Sequence, residues 1–136
     1  MELDLIDGKI LSLLKQNSRM HNVEIANRIG LTEGAVRSRI VSLVLRKVIG
    51  KFTIEASGDA SMFGIVMLKA KGETKKMMRE VTALSLHVSA FEISGEFDGC
   101  AVLEADSITS LDEKIDALRK CSHVADTRTF IAVKKW

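Results

Sequence analysis

Cationic side chains are the first groups in this 136-residue sequence whose spacing suggests chemistry. Lys15, Arg19, Arg28, Arg37, Arg39, Arg46, Lys47 and Lys51 are opposed between Lys15 and Lys51 only by Glu24 and Glu33, a local net charge of +6. From Ser61 onward, 11 basic residues balance 11 acidic ones. A basic segment beside a neutral one fits a polyanionic partner. A solvated helical face that is merely basic is the plain alternative. Inside the segment, Arg37 and Arg39 flank a strip of small residues, Gly34, Ala35, Ser38 and Ser42. Small side chains permit close approach, Ser38 can donate or accept, and the arginines can reach phosphates or guanine edges. The free N–H groups near Thr32 and Glu33 can hold a phosphate, provided Glu33 turns away. An internal ion pair of Arg39 with Glu33 or Glu24 is the competing use of that side chain.

A second constellation is Gly95-Glu96-Phe97-Asp98-Gly99. Its carboxylates can pair with an ammonium group, and its backbone N–H groups can take a carboxylate. The plain reading is an ordinary hairpin turn, where Gly and Asp are common. Other chemistry finds little support. Cys100 and Cys121 are too few for a disulfide framework, and no Cys/His cluster has zinc spacing. Cys100 alternates with apolar neighbours and is expected in a core, whereas Cys121 is expected to be exposed at a helix end. His21, His87 and His123 are scattered and read as surface or capping residues. No nucleophile elbow, triad signature or glycine-rich phosphate loop appears, and no cofactor is expected.

These residues need elements to hold them. Leu3, Ile6, Ile10, Leu13 and Leu14 recur at helical spacing, with Asp4 as cap and Asp7 in the first turn. Asn22 to Ile29 predicts a second helix with Val23, Ile25, Ala26 and Ile29 inward, ended by Gly30. Thr32 caps a third, whose inward stripe is Val36, Ile40, Leu43 and Val44. Gly34, Ser38, Ser42 and Leu45 lie opposite that stripe. Two helices joined by Gly30-Leu31-Thr32 have the form of a helix-turn-helix.

Ile49 to Ala56 looks extended, and Ser57 to Ser61 is small and polar, a linker. Then follow a β-rich run from Phe63 to Lys71 and helical spacing from Thr74 to Leu86. Strands from Val88 to Ser94 and Cys100 to Ala105, a helix marked by Ile108, Leu111, Ile115 and Leu118, and a strand from Val124 to Val133 complete the chain. The order β-α-β-β-α-β is the ferredoxin-like split motif. The expected fold class is therefore α+β, with a helix-turn-helix domain at 1–50, an extended linker at 51–61 and a ferredoxin-like domain at 62–136.

Several stretches resemble the Lrp/AsnC (feast/famine) family of regulators. Leu3-Asp4-Leu5-Ile6-Asp7 with Lys9-Ile10-Leu11 is similar to their opening. Arg19-x-x-Asn22-Val23-Glu24-Ile25-Ala26-x-Arg28-Ile29-Gly30-Leu31-Thr32 resembles their first helix-turn. Val36-x-x-Arg39-Ile40-x-x-Leu43 with Val48-Ile49 resembles their recognition helix, and Gly95-x-x-Asp98 their effector turn. The resemblance implies a winged-type helix-turn-helix followed by an effector-binding and oligomerisation domain. It implies transcriptional control by an amino acid, and homodimers that build tetramers or octamers. On it, Thr32, Gly34, Ala35, Arg37, Ser38, Arg39 and Ser42 are the DNA-binding candidates, and Gly95, Glu96, Phe97 and Asp98 the effector-binding ones. The implied partner is a double-stranded, pseudo-palindromic operator. The sequence departs from the pattern where His21 replaces a capping Ser and where Lys47 replaces Gly, so a longer or differently capped recognition helix is expected. Val41, Val44 and Leu45 replace residues that are commonly charged.

The longest run free of polar side chains, Met62 to Leu68, is far short of the roughly 20 residues of a spanning helix. The acidic opening is unlike a secretory leader. A cytoplasmic protein without a membrane partner is expected. A metabolite-sensing assembly protein whose first helices do not read DNA is the alternative. An enzyme is supported by fold analogy alone and is not expected.

Overall fold

The computed structural model describes residues 3–55 and 61–136. They fall into two compact units that part between residues 57 and 58. The expected linker Ser57 to Ser61 therefore lies outside the described residues except for Ser61.

In the first unit, helix α1 spans Leu5–Gln16, α2 Asn22–Ile29 and α3 Glu33–Leu45. Asp4 caps α1 by accepting the Asp7 N–H at 2.7 Å, so the predicted cap and first-turn acid meet directly. Gly30 ends α2 at φ 75°, and the N–H groups of Gly30 and Leu31 both close on the Ala26 carbonyl. Thr32 caps α3, its hydroxyl accepting the Ala35 N–H at 3.2 Å. Ile10, Leu14, Met20, Ile25, Ala26, Val36 and Leu43 form the core, with Ile40 and Ile49 packed on its margin. Val23 and Val44 are exposed, not inward as their spacing suggested. The buried arc of each helix is narrower than its apolar content, because three short helices cover one another only along their seams. Lys51 to Glu55 run without helix or strand. Ser18 donates its hydroxyl to the Thr53 carbonyl at 3.2 Å.

Helix α3 is neither lengthened nor capped in a new way. Lys47 takes up the left-handed conformation at φ 57°. The Val48 N–H reaches back to the Leu43 carbonyl at 2.9 Å, and the Lys47 N–H to that of Val44 at 2.9 Å. That is the closure a glycine would give. The orphan carbonyls of the last turn require it, whatever residue stands there.

In the second unit, strand β1 spans Met62–Ala70, helix α4 Thr74–Ala83, β2 His87–Glu92, β3 Gly99–Ala105, α5 Ile108–Arg119 and β4 Val124–Ile131. The sheet is antiparallel with order β2-β3-β1-β4, the predicted split βαββαβ arrangement. Val66 and Leu68 point under the helices and join Met77, Val81, Ala101, Leu103, Leu111, Ile115 and Leu118 in a second core. Alternation along β1 places Ile65, Met67 and Lys69 on the opposite face. Directly paired residues share a face, which adds Cys100, Val102, Arg128 and Phe130 to that side. Cys100 is thus half-exposed on the open face and Cys121 is buried, the reverse of both expectations. Ile108 is exposed at the start of α5.

Candidate functional site

Thr32 positions the candidate DNA-facing residues by fixing where α3 begins. From there a turn of about 100° per residue places Gly34, Ser38 and Ser42 away from the buried Val36 and Leu43. Gly34, Arg37, Ser38 and Ser42 are exposed, and Ala35 is half-buried. A Cβ added at Gly34 would meet nothing within 4 Å, so space on the protein's side does not demand glycine there.

The two arginines divide. Arg37 is exposed and pairs with Glu33 one turn earlier. An exposed pair of that kind contributes little and exchanges readily for a phosphate. Arg39 is bound inside the protein. Its Nη1 donates to Asp4 at 2.6 Å and to Asp7 at 2.8 Å. Asp7 is only 6% exposed, and Arg46 Nη1 approaches its second oxygen at 3.6 Å. Three hydrogen bonds hold the Asp4 carboxyl below its ordinary range, the Asp7 N–H first and Arg39 second, and the two carboxylates raise Arg39 above its own. The internal ion pair that competes for Arg39 is therefore formed, but not with Glu33 or Glu24. Those carboxylates hold Arg37 and Arg28 instead. Asp4 and Asp7 lie over 30 residues from Arg39 in sequence. The one signal for them was two acids on one face of α1 opposite a basic helix.

The second constellation sits between β2 and β3. Gly95 has φ 141°, a conformation that side chains rarely adopt. Asp98 is turned into the fold. Its Oδ2 accepts the Ala70 N–H at 2.8 Å and lies 3.8 Å from Lys69 Nζ, while its own N–H donates to the Leu68 carbonyl at 2.9 Å. Lys69 also donates to the Glu96 carbonyl at 2.7 Å. Arg128 lies 3.6 Å from the Glu96 carboxylate and 5.1 Å above the Phe97 ring. The turn is therefore pinned to β1 and β4 through Lys69 and Arg128, neither of which is marked in the sequence as a partner of the turn. Asp98 has one oxygen engaged in holding it there. The exposed carboxylate at the turn is Glu96.

Residues 3–44 match the AsnC-type helix-turn-helix domain. The regulator LysM of Sulfurisphaera tokodaii is 29% identical over 137 residues, 99% of this chain and 98% of that protein. The leucine response regulatory protein of Mycobacterium tuberculosis superposes with a TM-score of 0.77 at 22% identity, covering 98% of this chain and 94% of that one. A Neisseria meningitidis transcriptional regulator in complex with L-Met superposes with a TM-score of 0.72 at 20% identity, covering 98% and 92%.

Proposed function

We propose that this chain, a regulator of the Lrp/AsnC type, binds a pseudo-palindromic double-stranded operator through α3 as a homo-oligomer tuned by an amino acid or related metabolite. The observation that carries the DNA reading is the Thr32-capped α3, with Gly34, Arg37, Ser38 and Ser42 exposed on one side of a segment of net charge +6. A helix with a small-residue face fits the major groove, and the flanking cations fit the phosphates. One such helix reads a short half-site, so two-fold pairing supplies the second. We read the protein as a regulator and not an enzyme, and as cytoplasmic. Among the described residues no helix is long and apolar enough to cross a membrane.

The neighbour solved with L-Met supports a small-molecule role for the second unit. We assign the effector to the Gly95–Asp98 turn, with Gly95 and Asp98 setting its shape and Glu96 and Phe97 facing the ligand. Calorimetry with the twenty amino acids tests this. Binding of one of them that Glu96→Gln and Asp98→Ala leave unchanged would place the ligand elsewhere.

Titrating labelled DNA from upstream of the protein's own gene across a salt series tests the main reading. Arg37→Ala should weaken binding and flatten the log–log salt slope by about one. Arg39→Ala should instead act through the set of α3, with the slope unchanged. Full affinity in Arg37→Ala at physiological salt would remove this face of α3 from the DNA.

A further inference from the structure

The outward side of α3 does not end at Ser38. At about 100° per residue, Gly34, Ser38, Val41 and Leu45 fall within one stripe opposite the buried Val36 and Leu43. Val41 is 53% exposed and Leu45 78% exposed, with Val44 and Val48 also exposed beside them. Branched aliphatic side chains on the outer face of a helix gain nothing from water. In this fold they stand where the small-residue strip continues toward the helix C-terminus.

We infer that Val41 and Leu45 read thymine methyl groups in the major groove, so that the operator half-site carries two thymines about two base pairs apart. The inference rests on the DNA reading of α3. The 5-methyl of thymine is the apolar group that base pairs present in that groove, and aliphatic contact recognises it. Val41 and Leu45 are one turn apart, about 6 Å along the axis, which spans about two base-pair steps of 3.4 Å. The polar alternatives on the stripe are weak. Ser38 discriminates poorly between bases, Arg37 flanks the stripe and is assigned to a phosphate, and Arg39 is held by Asp4 and Asp7. Charge argues against a second copy of the chain as the occupant. Pairing this face with itself would bring one net-positive unit against another, whereas DNA supplies the complementary sign.

The experiment uses the full chain. Duplexes are first selected from a randomised pool, and each thymine of the selected site is then replaced in turn by uracil, which removes the methyl and keeps the hydrogen-bonding edge. Wild type should lose about fourfold in affinity at each of two thymines two base pairs apart. Val41→Ala should abolish one of these penalties and Leu45→Ala the other. Both variants should melt like wild type, because the side chains are exposed. A flat uracil profile in wild type, or penalties that persist unchanged in both variants, overturns the inference while leaving DNA binding standing. Variants that dissociate the oligomer without touching the uracil profile also overturn it, since the patch is then a protein contact. Failure to enrich any duplex, with no binding to the pool, overturns both the inference and the DNA reading beneath it.

Discussion

At the scale of single residues, Lys47 shows a local conflict settled by its surroundings. Its φ of 57° places a β-carbon where the left-handed region costs about 1–2 kcal/mol. Glycine would remove that strain and return about 0.5–1 kcal/mol through the flexibility of the unfolded chain. Lys47→Gly should therefore stabilise the first unit by about 0.5–1 kcal/mol, seen as a higher urea midpoint with an unchanged slope. Glu80, on α4, offers a pH-dependent counterpart. The backbone N–H groups of His123 and Ser122 hold its carboxyl down at about 2, with the side chains of both adding to the effect. A depressed carboxyl stabilises the fold above its unfolded value of 4.5 and loses that contribution as pH falls toward about 2. Glu80→Gln should melt below wild type at pH 6, with the gap closing between pH 4.5 and about 2.

Among elements, the tie between α1 and α3 matters most. Asp4 caps α1 and Asp7 sits in its first turn, where the helix dipole already favours anions, and their second role is to hold Arg39 of α3. Removing the nearly buried Asp7 takes from Arg39 one of its two carboxylates and from Arg46 an oxygen it approaches. Asp7→Ala should cost about 2–3 kcal/mol. An Asp7→Ala, Arg39→Ala cycle should show a coupling of about 1–3 kcal/mol, and additive single changes would mean the pair does not act as a unit. The same tie explains why Arg39 is expected to affect DNA by orienting the helix. In the second unit, Leu103 lies in the core between sheet and helices. Leu103→Ala should cost about 2–5 kcal/mol through transfer and cavity terms, whereas Leu45→Ala should leave stability within about 0.5 kcal/mol.

For the whole molecule, the open face of the sheet sets the expectation. Ile65 and Phe130 are exposed there, flanking Met67 and Val102, while both helices lie on the other side. Two-layer domains bury such a face against another layer, and a second copy of this sheet is our proposed cover. Alternation divides β1 into two surfaces, Val66 with Leu68 and Ala70, and Ile65 with Met67 and Lys69. The helices occupy the first. Ile65→Lys should shift the assembly toward monomer in light scattering at micromolar concentration and weaken operator binding with it. A clean monomer in wild type would remove the proposed pairing.

Much of this protein was legible in the sequence because the signals are local. The caps Asp4 and Thr32, the stop at Gly30 and the order βαββαβ follow from which backbone groups lack partners and from periods of 3.6 and 2. The small-residue strip on α3 was legible for the same reason. Tertiary structure alone decided which arginine is held inside, since the carboxylates that hold Arg39 are more than 30 residues away and compete with nearer ones on distance. It decided that Asp98 faces inward, because the donor it satisfies belongs to Ala70 on a neighbouring strand. It also decided which cysteine is buried and which face of β1 stays open. Periodicity divides a strand into two faces without labelling them, and the label comes only from where the helices pack.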